Sequence, residues 1–318
     1  MKNIKVVYMG TPLFSVNPLK GLIENYDVIA VVTQPDKEKG RGKNVSKSEV
    51  KKLCEEHGIR VIQPVKIREE YQEILDLKPD IIVTCAYGQI IPLEILNAPV
   101  YGCINVHASL LPKYRGGAPI HRAIMNGDSK TGITIMYMDK GMDSGDIIKQ
   151  SIVDIDFDMN TTSLEEVLSK EGERLLLDTL PSIIDRKCER IKQNESDVTF
   201  ARIIKKEDEQ LDFDDTTVNV YNKIRGLSYV PGAYTMFDSK IFKIYKARIS
   251  SYVGRESAGT ITNIYKDGIG VKTKDGEIVL LEVKPEGKKM MDAKSFINGF
   301  GKDNLIGKKF EKDSYEIR

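Results

Sequence analysis

The sequence lacks the marks of several protein classes. In 318 residues no apolar run approaches the roughly 20 needed to cross a bilayer, and no signal-peptide pattern precedes the first strand-like run at Ile4. A soluble, cytoplasmic protein is expected. Neither sign of charge is in excess: 48 basic against 47 acidic residues give a net +1, which argues against a strongly basic nucleic-acid binder. Cysteine is scarce. Cys54, Cys85, Cys103 and Cys188 have neither CxxC nor metal-ligand spacing, so disulfides are not expected and buried free thiols are. With 41% hydrophobic and 30% charged residues, the composition excludes a disordered chain, a collagen and a coiled coil.

Several catalytic signatures are missing too. The first strand-like run ends in Met9, Gly10, Thr11 and Pro12, without the three-glycine fingerprint that lets a pyrophosphate approach a helix N-terminus. There is no Walker loop and no Gly-x-Ser-x-Gly elbow, and no cysteine has a basic neighbour in a strand-end loop. Dinucleotide-dependent redox chemistry and acyl-enzyme chemistry are therefore disfavoured. Direct transfer by a base and an oxyanion donor remains.

What is present is an alternation of short β-branched runs with longer helical patterns, the pattern of a parallel sheet with crossover helices. Strands are predicted at Ile4 to Met9, Val28 to Thr33, Asp80 to Ala86, Cys103 to Val106 and Thr134 to Met138. Helices are predicted at Pro18 to Asn25, at Lys47 to His57 with Gly58 as C-cap, at Ile67 to Leu77 and at Ala118 to Met125. From Leu164 to Ile184, Leu164, Val167, Leu168, Leu175, Leu176 and Leu180 are spaced for one buried helical stripe. Asp185 to Glu209 is polar and without a period, which reads as a surface connector. Beyond it, a helix near Thr217 to Gly226 precedes short alternating runs punctuated by turns such as Asp238 and Ser239. About five antiparallel strands fit, and the OB-type barrel is the common architecture of that size. The domains expected are residues 1–189, a linker at 190–208, and a barrel at 209–318.

On the apolar run from Cys103 to Ser109, period-2 alternation puts Asn105, His107 and Ser109 on one face. Asn105 offers amide donors to a developing oxyanion, and His107 is a natural proton acceptor near neutral pH. Taken singly, a strand-end His or Asn more often satisfies its own loop backbone. Convergence at the carboxyl end of a parallel strand, where ligands of open α/β sheets bind, favours function. After the run to Met138, Asp139, Asp143 and Asp146 stand in a turn-rich loop. A carboxylate aimed at the imidazole would fix its tautomer, backbone capping is the ordinary alternative, and metal ligation has no His spacing to support it.

Two cationic features stand apart. Lys37, Lys39, Arg41 and Lys43 fall in a Gly-containing loop after the second strand, and Lys240 to Lys312 carries 16 basic against 9 acidic residues. Either is a solvated surface or the footprint of a polyanion.

Asn105 to His107, Ser109 to Pro112, Tyr114 to Pro119 and Met138 to Asp146 together resemble the catalytic core of the 10-formyltetrahydrofolate-dependent formyltransferases. Gly10 to Pro12, Thr33 to Asp36, Gly40 to Lys43, Ala86 to Gly88 and Lys284 to Met290 extend the resemblance over essentially the whole chain, with small departures such as Gly117 where the family often has Ala. The resemblance implies a Rossmann-like open, mostly parallel sheet followed by an OB-like barrel. It implies transfer of a formyl group from 10-formyltetrahydrofolate, a co-substrate, to the α-amine of methionine on initiator tRNA, without a metal, by a monomer. Asn105, His107 and Asp143 would be catalytic. Ser109, Leu110, Leu111 and Pro112, with Tyr87 and Gly88, would line the folate site. Arg41, Lys39, Lys43, Lys288 and Lys289 would meet the tRNA. Formylation of a small amine, such as an amino sugar, and non-catalytic RNA binding stand as the competing readings.

Overall fold

In the computed structural model, which describes residues 3–39 and 44–313, the β-branched runs become strands. They are β1 (Lys5–Gly10), β2 (Asp27–Val32), β3 (Lys37–Lys39), β4 (Asn44–Ser46), β5 (Val61–Ile62), β6 (Ile81–Cys85), β7 (Cys103–His107), β8 (Lys130–Tyr137) and β9 (Ile147–Asp154). Seven make one sheet in the order β5-β2-β1-β6-β7-β8-β9. The pairings from β5 to β7 are parallel, and β8 and β9 join antiparallel. This is the open sheet that the sequence pattern predicts, and the mostly parallel, Rossmann-like one that the resemblance implies. β1 and β6 are buried on both faces, which is why they read as continuous apolar runs. β9 was not predicted, because its outer positions are polar and it closes an edge. β3 and β4 pair with each other, so part of the segment expected to be a loop is a hairpin. Arg41 and Lys43 lie outside the described residues.

The helices around the sheet are α1 (Val16–Asn25), α2 (Glu49–His57), α3 (Gln72–Asp76), α4 (Leu93–Leu96), α5 (Pro119–Met125) and α6 (Thr161–Ile184). α2 starts at Ser48, whose side chain accepts from the Lys51 N–H, and stops at Gly58. With φ at 65°, Gly58 takes the left-handed conformation and donates to the Cys54 and Glu55 carbonyls. α3 is shorter than the pattern over 67 to 77 implies, because Ile67 is held outside it, donating its N–H to Gln89 Oε1. On α6 the stripe is buried as expected, except that Val167 is 40% exposed. At 100° per residue it falls to one side of the arc that Leu168, Leu175, Leu176 and Leu180 share. The polar stretch after α6 has structure of its own kind: Ile191 bridges to Ile147 and Phe200 to Arg115. Three cysteines are buried and free, with burial pushing the Cys54 and Cys85 thiols up to about 12. Among the described residues no helix is long and apolar enough to cross a membrane.

The chain divides into two compact units. One comprises Met1–Pro119, Lys130–Asp154 and Glu165–Arg202; the other comprises Ile120–Ser129, Ile155–Leu164 and Ile203–Arg318. In the second, α7 (Lys206–Glu209) and α8 (Thr217–Gly226) precede β10 (Ala233–Phe237), β11 (Lys240–Ser250), β12 (Ile261–Ile264), β13 (Ile269–Lys272), β14 (Glu277–Pro285) and β15 (Met291–Asp292), and α9 (Ala293–Phe300) follows. The antiparallel order is β10-β11-β14-β13-β12, with β15 on β14. Asp238 and Ser239, with φ of 47° and 59°, make the two-residue turn from β10 to β11 that matches strand twist. The two sheet edges do not stay open. Residues 307–311 pair with Met236 on one side and with Thr260 on the other, closing the strands around Phe237, Phe242, Ile261, Leu280 and Phe310. The two inner strips of sequence that belong to this unit dock on it through specific bonds. Tyr221 donates to Asp158 at 2.8 Å, Arg225 to the Met159 carbonyl at 2.8 Å, and Arg122 pairs with Asp208 at 2.7 Å.

Glu277 is wholly buried in the barrel, where Asn263 Nδ2 donates to it at 2.8 Å, Tyr265 OH at 2.6 Å, and Thr262 donates as well. Burial pushes its carboxyl upward, yet the donors from Thr262, Tyr265, Asn263 and Ser250 outweigh that and hold it below its ordinary value of 4.5. Its contribution is therefore complete above that value and is lost as pH falls through the lower folded value. Thermal scans across pH 3 to 7 should show Glu277→Ala less stable by about 3 kcal/mol at neutral pH and less acid-sensitive than wild type. Parallel curves would count against this role.

Candidate active site

The site is built at one edge of β7. Asn105 and His107, two residues apart, emerge on the same face, and the loop after β8 brings Asp143 to both. Asp143 Oδ1 lies 3.5 Å from Asn105 Nδ2, and its Oδ2 lies 3.7 Å from His107 Nδ1. Thus the structure brings together the three side chains that the sequence singles out. The other two acids of that loop are otherwise engaged. Asp139 accepts from Gly141 N–H at 2.9 Å and from Ser144 Oγ at 2.7 Å, capping its own turn, and Asp146 pairs with Arg190 at 2.9 Å. Among the described residues no group of three or more His, Cys, Asp or Glu could hold a metal ion.

His107 is buried, with 6% of its surface exposed, and its Nε2 is 3.0 Å from the carbonyl of Tyr114. A carbonyl only accepts, so Nε2 carries the proton and the neutral ring keeps its lone pair on Nδ1, the atom facing Asp143. At 3.7 Å there is no hydrogen bond between two acceptors; a proton gained at Nδ1 would turn the contact into an ion pair.

The turn from Ser109 to Arg115 makes this possible. Ser109 Oγ donates to the Lys113 carbonyl at 2.7 Å, while Thr134 Oγ1 donates to the Ser109 carbonyl at 2.6 Å and accepts from Leu111 N–H at 3.2 Å. Tyr114 then adopts a φ of 62° that turns its carbonyl to the imidazole. Gly116, at φ 122°, donates its N–H to Asp143 Oδ2 at 2.8 Å. A Cβ there would stand 2.7 Å from the Ala201 carbonyl, so glycine is required twice over.

Residues that the sequence did not single out hold the Asp143 loop. Gln193 Nε2 donates at 2.8 Å to both the Asp143 and the Gly145 carbonyls, and Gln193 Oε1 accepts from Arg115 Nε at 3.0 Å. Arg115 is 4% exposed and pairs with Glu195 at 2.9 Å. Gln193 and Glu195 sit in the aperiodic stretch after α6, where no pattern signals them. Thr84 on β6, also not singled out, bonds Asn105 instead, its hydroxyl 2.8 Å from Asn105 Oδ1.

The residues assigned to folate from sequence are placed variously. Tyr87 turns its ring into the apolar layer with Val7, Ile67 and Ile91, leaving its carbonyl to accept from Thr11 and Gln34. Gly88 follows it with φ at 91°. Leu111 packs with Met136 and Ile147, Leu110 lies over Gly132, and the Pro112 carbonyl accepts from Thr199 N–H at 3.4 Å. A cavity of about 470 Å³ is lined by Leu96, Pro99, Cys103, Tyr137, Met138 and Ile183, among others. Met138, whose sulfur lies 3.2 Å from Thr84 Oγ1, lines it, but none of the trio and none of the residues assigned to folate does. Of the cations assigned to RNA, Lys39 ends β3, and Lys288 and Lys289 are exposed in the turn between β14 and β15.

The chain matches two family models, formyl transferase over residues 2–180 and formyl transferase, C-terminal domain, over residues 203–301. A methionyl-tRNA formyltransferase of Bacillus thuringiensis (strain Al Hakam) is 52% identical over 300 residues, covering 93% of this chain and 96% of that protein. One of Bacillus anthracis matches to the same extent, 52% over 300 residues. Among solved structures, an N-formyltransferase from Helicobacter canadensis in complex with folinic acid and dTDP-3-aminofucose superposes with a TM-score of 0.66 at 22% identity, covering 87% of this chain and 98% of that one. A methionyl-tRNA formyltransferase from Clostridium thermocellum superposes with a TM-score of 0.56 at 20% identity, covering 78% and 94%. At such identities these two structures speak to the fold.

Proposed function

The chain belongs to the formyl transferase family, whose N- and C-terminal domains it carries in order, and from that premise we propose that it formylates methionyl initiator tRNA from 10-formyltetrahydrofolate. The observation that carries the chemistry is the meeting of Asn105 Nδ2 and His107 Nδ1 on one carboxylate, at 3.5 and 3.7 Å.

As the α-amine attacks the formyl carbon, His107 Nδ1 takes its proton and the imidazolium so formed pairs with Asp143 beside it. The carbon–N10 bond of the carrier then breaks, and that proton is returned to N10 as tetrahydrofolate leaves. Asn105 Nδ2 donates to the formyl oxygen as negative charge develops on it. Asp143, held by Gly116 N–H and Gln193, keeps both groups aimed at one point. The cavity of about 470 Å³ is lined by neither the trio nor the residues assigned to folate, so the carrier is not placed in it. We assign the carrier instead to the pinned turn of Ser109, Leu110, Leu111 and Pro112 and to the backbone of Tyr87 and Gly88.

The barrel, which we read as of the oligonucleotide-binding type, supplies phosphate affinity, and Lys39, Arg41 and Lys43 serve the acceptor end. Much of the barrel's positive charge is neutralised internally. Arg248 pairs with Asp267, Lys308 with Asp238 and Lys312 with Asp212, whereas Lys288 and Lys289 form no ion pair among the described residues. Replacing both by alanine should raise KM for the charged tRNA several-fold, lower the salt dependence of binding by roughly one unit of slope per lysine, and leave kcat alone. An unchanged salt slope would remove them from the interface.

The reading is tested by comparing charged initiator tRNA with a nucleotide-linked amino sugar as formyl acceptor at physiological salt. Preference for the tRNA by orders of magnitude in kcat/KM is expected. Preference for the sugar would replace this reading with small-amine formylation.

A further inference from the structure

We propose that Thr84 is a positioning residue that fixes which end of the Asn105 carboxamide faces the transferred formyl group. The inference rests on the function proposed above and deepens it.

Thr84 and Asn105 are Cα partners on neighbouring parallel strands, so their side chains rise together from the same face. Thr84 is 3% exposed, and its Oγ1 is 2.8 Å from Asn105 Oδ1. A carboxamide is nearly symmetric in shape, so only its neighbours decide where oxygen and nitrogen lie. On one side stands Asp143 Oδ1, 3.5 Å away, which can only accept; the amide nitrogen belongs there. The oxygen then faces Thr84 and needs a proton, and the hydroxyl has one. Its other near neighbours, the Ile104 carbonyl at 3.1 Å and Met138 sulfur at 3.2 Å, are both more distant.

The arrangement matters most during turnover. When His107 becomes charged, Asp143 is drawn into the ion pair and its hold on the amide weakens, leaving the Thr84 hydroxyl as the fixed partner on the other side. A flipped amide would present oxygen to a developing negative charge, turning a stabilising donor into a repulsive acceptor.

Thr84→Val keeps the shape and removes the proton; Thr84→Ser keeps the proton. We expect Thr84→Val to lower kcat by about tenfold to thirtyfold, with KM for both substrates within about twofold of wild type and no loss of thermal stability beyond about 2 °C. Thr84→Ser should restore kcat to within about threefold of wild type. A Thr84→Val enzyme at wild-type kcat, or a Thr84→Ser enzyme as slow as Thr84→Val, would overturn the inference while leaving tRNA formylation by the wild type intact. A wild type that does not formylate charged tRNA would overturn both.

Discussion

Replacing His107 by alanine is expected to lower formyl-transfer turnover by about 10³-fold, and Asn105→Ala to lower it by about 10²-fold or more, while affinity for the tRNA stays within a few-fold. In the proposed mechanism the two side chains act on different atoms of the same event. His107 Nδ1 is the lone pair left available once Nε2 is tied to Tyr114, so no neighbouring group can replace it. Asn105 Nδ2 is the donor that Thr84 and Asp143 keep pointed outward. Because the groups work as a unit, the double variant should be little slower than the slower single one. Single-turnover kinetics with pre-charged tRNA, beside filter binding of the same tRNA, measures both quantities. Turnover retained in either variant would contradict the mechanism; binding lost in parallel would make the site one of RNA affinity.

Asp143→Asn is expected to reduce kcat by about 10²-fold with both KM values nearly unchanged. Asparagine is the informative choice because Asp143 has a φ of 49°, a conformation that asparagine tolerates and most residues do not. The amide oxygen can still accept from Gly116 N–H, so the loop keeps its place. What disappears is the charge 3.7 Å from Nδ1 with which a proton taken up there would pair. If steady-state assays found Asp143→Asn as fast as wild type, the carboxylate would serve the loop alone and the ion-pair step would fall.

The strand core was readable because β1, β6 and β7 are short, apolar and bounded by turn residues. Gly58 and the Asp238 turn were readable because a backbone conformation demands a residue type. The trio was readable because period-2 spacing on β7 already puts Asn105 and His107 together, with the acidic loop supplying a third group. What escaped was whatever depends on long-range pairing. β9 is polar at an edge, Gln193 reaches the Asp143 loop across 50 residues, and the segment at 307–311 meets two strands far from it in sequence. The residues assigned to folate were harder still, since Tyr87 presents its backbone and hides its ring.

The interleaving of the two units bears on how this architecture can be recombined. A chimera joined once after Arg202 would import the barrel strands but omit Ile120–Ser129 and Ile155–Leu164, the strips carrying Arg122, Asp158 and Met159. Helix α8 would then show the Tyr221 hydroxyl and the Arg225 guanidinium to water or to an unrelated host. Any transplant of this unit between relatives has to move three pieces of polypeptide as one cassette.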